Sequence, residues 1–158
     1  STCLCPTTER DVADGIGPSR DLTDAGSPLT LGSDQNAVVD PFEEARGLEM
    51  HERLATSDRG RFAVSELVDA MTVNGHAALG WPEAGRIEIG MLGDLVSVRS
   101  DSVRTAGVLP EQIVMAATAA DIDTVVISGS VVVRGGRHKQ IENVGQMLVE
   151  AVDRCWGH

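Results

Sequence analysis

Asp34 stands in Gly32-Ser33-Asp34-Gln35-Asn36, directly after the apolar run Leu29-Thr30-Leu31. Ser33, Asp34, Gln35 and Asn36 project polar groups just where a short buried strand stops, a place where chemistry can be carried. In parallel α/β architectures such side chains sit at the carboxyl-terminal rim of the strands. The same residue types also suit a loop aspartate that caps the next helix. A second polar cluster, Thr7-Thr8-Glu9, follows Cys5-Pro6 at the exit of another short apolar stretch. It reads either as a rim that touches a substrate or, through Thr8 and Asp11, as a loose helix cap. Cys3 and Cys5 share a strand face and read as packing, since no further Cys or His adjoins them to complete a metal site. His51, His76, His138 and His158 form no H-x-H pair, and His76 is expected to pack or cap within a helix.

These groups must be positioned by the elements around them. Residues 1–5 read as a strand, Asp14-Gly15-Ile16-Gly17-Pro18 as a turn, and Arg20 to Gly26 as a short polar connection to the strand at Leu29. Asp40 is placed to cap a helix with Pro41 at its first position and Glu43 and Glu44 in the first turn. Phe42, Ala45, Leu48 and Leu54 form its apolar face, and Glu49 pairs with Arg53. A second helix is expected to carry Leu67, Val68, Met71, Gly75, Ala78 and Leu79 on one side, ending at Gly80 and Pro82.

From Gly85 the period changes. Ile87 and Ile89 alternate with Arg86 and Glu88, and Leu95, Val96 and Val98 predict another strand. Pro110 opens a helix running to Ala120. Val125 to Val133 reads as a hairpin about Gly129-Ser130, closed by Gly135-Gly136. A final helix puts Ile141, Val144, Leu148, Val152 and Cys155 on a face expected to be core.

The chain has 158 residues and a formal charge of −11, with 3% aromatics. That charge and the lack of stacking residues argue against nucleic acid or an anionic membrane as partner. No apolar run approaches membrane-spanning length, and no basic amino-terminal leader is legible. Three cysteines do not make a disulfide framework, so a reducing cytoplasm is the expected location. Two parallel strands cannot bury both their faces, and the first part is expected to need neighbouring strands from elsewhere.

Cys5-Pro6-Thr7-Thr8-Glu9, Asp14-Gly15-Ile16, Gly32-Ser33-Asp34 and Asp40-Pro41-Phe42-Glu43-Glu44-Ala45-Arg46 resemble the carboxyl-terminal part of the formimidoylglutamate deiminases. Asn74 to Gly80, Gly93-Asp94-Leu95-Val96 and Val131 to His138 look like endings common to the wider amidohydrolase superfamily. The resemblance implies an α/β fold, the carboxyl-terminal part of a (β/α)8 TIM-like barrel plus part of a small β-sandwich. Residues 1–84 would be the final barrel strands and helices, 85–138 the sandwich segment and 139–158 a terminal helix.

The activity implied is metal-dependent hydrolysis of N-formimino-L-glutamate to N-formyl-L-glutamate and ammonia, in histidine degradation. Asp34 would be both a ligand of a zinc ion and the general base, and Thr7, Thr8 and Glu9 would help shape the substrate pocket. Other metal ligands, histidines from earlier strands, would come from a missing amino-terminal half of the barrel, and a homodimer is one assembly allowed. The chain alone is expected to be inactive, because one carboxylate does not hold a catalytic zinc. Two alternatives stand beside this: another aminohydrolase of the superfamily, acting on a purine or triazine ring, and a truncated, non-enzymatic interaction module with covered strand edges.

Overall fold

Thr2–Leu4 forms strand β1 and Leu29–Leu31 strand β2, paired in parallel with Thr2 opposite Leu29 and Leu4 opposite Leu31. This computed structural model describes residues 1–157, so His158, the last position of the expected terminal helix, lies outside the described residues. Helix α1 (Pro6–Asp11) starts immediately after β1, since Pro6 suits a first helical position and the Glu9 carboxylate accepts the Cys5 N–H at 2.8 Å. The expected polar connection before β2 is instead helix α2 (Ser19–Asp24). Its polar residues hid a tertiary anchor: the buried Glu52 carboxylate accepts Ser19 Oγ–H at 2.7 Å and Arg20 N–H at 2.8 Å.

Helix α3 (Pro41–Thr56) begins where the cap signals place it, with Asp40 Oδ1 accepting from Phe42 N–H at 3.0 Å and Glu43 N–H at 3.4 Å. Phe42, Ala45 and Leu48 meet Leu29, Phe62, Leu67 and Ala70 in the core. The second helix is not continuous. It divides into α4 (Val64–Met71) and α5 (Val73–Ala78) at Thr72, whose φ of −124° and ψ of −92° leave the helical region. Thr72 Oγ donates back to the Val68 carbonyl at 2.7 Å, and Asn74 Nδ2 reaches the Leu29 carbonyl at 3.0 Å. His76 Nδ1 lies 2.9 Å from the Thr72 carbonyl, a contact within the helix as expected.

The alternation at Arg86 to Ile89 forms no strand, and both isoleucines are exposed. Period-two patterning makes a strand only when a neighbour supplies a ladder. The second sheet is antiparallel in the order β3 (Leu95–Val98), β4 (Ile122–Ile127), β5 (Ser130–Arg134), β6 (Arg137–His138). The β4–β5 turn centres on Ser128-Gly129, one residue earlier than the sequence suggests, with φ of +50° and +75°. Paired positive φ values match the twist of a two-residue hairpin.

The helix expected from Pro110 to Ala120 is reduced to α6 (Ile113–Ala116) flanked by 3-10 turns. The Arg46 guanidinium binds the Val114 and Ala117 carbonyls, and Asp40 Oδ2 accepts Ala119 N–H at 2.9 Å. Val114 and Ala117 thereby join the core built on α3, so a segment lying between strands of the second sheet docks onto the first part of the chain. Helix α7 (Val144–Trp156) forms, but no residue on it is buried, and the stripe expected to be core faces outward. No helix among the described residues is long and apolar enough to cross a membrane.

Candidate active site

Because β1 and β2 are parallel, their carboxyl ends open on one side, and Thr7 to Glu9 and Ser33 to Asn36 lie beyond them. Asp34 is exposed there, with φ of +41°. Left-handed backbone is uncommon outside glycine, though Asp tolerates it better than most. The Asp34 carboxylate makes no hydrogen bond among the described residues, and α3 is capped by Asp40. The capping reading of Asp34 is therefore set aside, since Asp40 holds that helix start.

The three neighbours expected at the rim are placed differently from one another. Thr7 is buried, and both its N–H and its hydroxyl donate to the Glu44 carboxylate. Thr8 is also buried, and its hydroxyl donates to the Ser33 carbonyl at 3.2 Å. Glu9 is half-buried, with one oxygen on the Cys5 N–H and the other 3.9 Å from His51 Nδ1. Thr7 and Thr8 are thus helix residues with internal partners, and the free rim surface expected of them is not found.

Gly32 faces the two thiols. A Cβ there would lie 3.1 Å from Cys5 Sγ and 3.3 Å from Cys3 Sγ, so a larger residue would push the thiols back by a few tenths of an ångström. Burial, the adjacent Cys3 and the charges of Asp34 and Glu9 push the Cys5 thiol up to about 11. It stays protonated at neutral pH, so it is no ready nucleophile. Burial and the Arg10 charge lower the His51 pKa, outweighing Glu9 and Glu44, so His51 is neutral near pH 7.

Sequence reasoning missed the role of α3 as a rack of buried carboxylates. Glu44, Glu49 and Glu52 are all buried, and each holds backbone N–H groups of a different segment. A signal existed: Glu44, Leu48 and Glu52 recur at helical spacing beside Ala45, on the stripe already identified as apolar.

A catalytic zinc takes about three protein ligands. Among the described residues no three His, Cys, Asp or Glu side chains are grouped to hold a metal ion. Asp34 offers one uncommitted carboxylate, so the donor set of this chain alone does not fit a metal centre.

A model of the amidohydrolase family matches residues 1–132. The chain belongs to the amidohydrolase family. It is 32% identical over 158 residues to a 5-methylthioadenosine/S-adenosylhomocysteine deaminase of Pelotomaculum thermopropionicum, covering 96% of this chain and 36% of the relative. It is 30% identical over 160 residues to a formimidoylglutamate deiminase of Pseudomonas aeruginosa, covering 94% and 35%. Among solved structures, an adenosine deaminase from Xanthomonas campestris with bound zinc superposes with a TM-score of 0.85 at 24% identity, over 98% of this chain and 36% of that one. The chain thus spans about a third of the length of these relatives. Its α/β architecture is that of part of an amidohydrolase TIM-type barrel.

Proposed function

We propose that this amidohydrolase chain is part of a metal-dependent deaminase and that Asp34 is its proton-transferring carboxylate. One observation carries the reading: beyond the carboxyl end of β2, an exposed aspartate makes no hydrogen bond among the described residues. Asp34 takes a proton from the attacking water and returns it to the departing nitrogen. A zinc ion, when bound, supplies Lewis acidity for that chemistry. Its remaining ligands would come from the other part of the barrel.

The substrate proposed is N-formimino-L-glutamate, hydrolysed to N-formyl-L-glutamate and ammonia in histidine degradation in the cytoplasm. Support comes from Cys5-Pro6-Thr7-Thr8-Glu9 with Asp14-Gly15-Ile16, the stretch that resembles the deiminases, and from the likeness to the Pseudomonas enzyme. A second reading, deamination of an adenosine-type base, is favoured by the Pelotomaculum relative's name.

Ammonia release by the zinc-loaded natural enzyme separates the two. Turnover of N-formimino-L-glutamate supports the first reading. Turnover of 5′-methylthioadenosine or S-adenosylhomocysteine alone replaces the substrate and keeps the class. Asp34→Asn is expected to cut kcat by about a thousandfold, within the usual range for general acid–base groups. A variant that keeps wild-type kcat overturns the assignment of Asp34.

A further inference from the structure

We infer that Thr8 is a positioning residue that sets the backbone on which Asp34 stands, an inference that rests on the role proposed for Asp34. The Thr8 hydroxyl is buried and donates to the Ser33 carbonyl at 3.2 Å. That oxygen belongs to the peptide unit whose nitrogen is that of Asp34. It also accepts the Asn36 N–H at 2.8 Å, so both its acceptor directions are occupied. The two donors pull from different sides. Asn36 closes the turn from within, and Thr8 ties it to α1, which is a separate element.

The tie matters because the turn is strained. Asp34 has φ of +41° and Asn36 φ of +57°. Released from its hydrogen bonds, a non-glycine residue in this region relaxes toward negative φ. Tilting of the Ser33–Asp34 peptide plane, which the Thr8 bond resists, swings the Asp34 Cβ and carboxylate relative to the strand end. A carboxylate that must meet a substrate proton within hydrogen-bond reach tolerates little of that motion. Thr8 is itself fixed, since the preceding Thr7 is clamped to Glu44 of α3 and Pro6 packs against Gly47 of the same helix. A relay of packed contacts runs from α3 through α1 to the peptide bearing Asp34. Thr8 acts on the reaction through Asp34.

Thr8→Val keeps the shape and removes the donor, and Thr8→Ser restores the donor. In the natural enzyme, Thr8→Val is expected to lower kcat about tenfold or more, with KM within about twofold. Amide hydrogen exchange at Asn36 should accelerate, a readout independent of turnover. Thr8→Ser should return kcat, KM and exchange to within about threefold of wild type. An unchanged kcat, an unchanged Asn36 exchange rate, or a change confined to KM overturns the inference, the last by returning Thr8 to a substrate contact. If Asp34→Asn is fully active, the underlying assignment has failed. If Asp34→Asn is dead and Thr8→Val is normal, only the positioning role has failed.

Discussion

Glu49→Gln tests whether the buried carboxylates of α3 organise the fold. Glu49 is 1% exposed, and its Oε1 accepts Gly60 N–H and Arg53 Nε–H, both at 2.7 Å, while Oε2 accepts Phe62 N–H at 2.8 Å. Glutamine has one acceptor oxygen and one donor nitrogen. With the oxygen kept on the Gly60 side, its NH2 faces the Phe62 N–H, and a buried donor loses its partner at a cost of about 1–3 kcal/mol. Arg53 is partly exposed, so its ion pair adds at most about 1 kcal/mol. The sum is a loss of about 1–4 kcal/mol at pH 7.

The pH dependence gives a second handle on the same residue. Burial alone would raise the Glu49 pKa, but hydrogen bonds from Phe62, Arg53 and Gly60 together lower it below the ordinary 4.5. A carboxyl with a depressed folded-state pKa contributes full stability above its unfolded value and loses it as pH falls through the folded one. The gap between wild type and Glu49→Gln should therefore be largest above pH 4.5 and close below it. Urea unfolding followed by circular dichroism, with hydrogen exchange at Phe62, measures both. A gap under about 0.5 kcal/mol at pH 7, or one that does not narrow in acid, refutes the reasoning.

Gly47→Ala places a Cβ 2.5 Å from Pro6 Cβ, so α1 must shift on α3, and a loss of about 1–3 kcal/mol in thermal or urea unfolding is expected. Asp40→Ala removes the α3 cap and the acceptor of Ala119 N–H, and should cost about 1–2 kcal/mol with faster exchange at Ala119. Thr7→Val strips one donor from the buried Glu44 carboxylate and should lower unfolding stability by about 1–3 kcal/mol.

The local signals in the chain settled what local chemistry settles. Asp40-Pro41 started α3 because a capping carboxylate and a proline without an N–H satisfy the same helix end. Val125 to Val133 gave a hairpin because β-branched residues flank residues that accept positive φ. The place of Ser33 to Asn36 beyond β2 was legible because a polar run directly follows a short apolar one. Distant partners decided the rest. Arg20 to Gly26 became a helix once Glu52 accepted its first donors, and 110–120 broke where Arg46 and Asp40 captured its backbone. Residues 86–89 stayed irregular for want of a neighbouring strand, and Thr7 was buried when the Glu44 carboxylate of α3 took its N–H and hydroxyl. Caps, turns and periodicity are properties of adjacent residues, whereas burial and hydrogen-bond completion depend on which remote segment arrives.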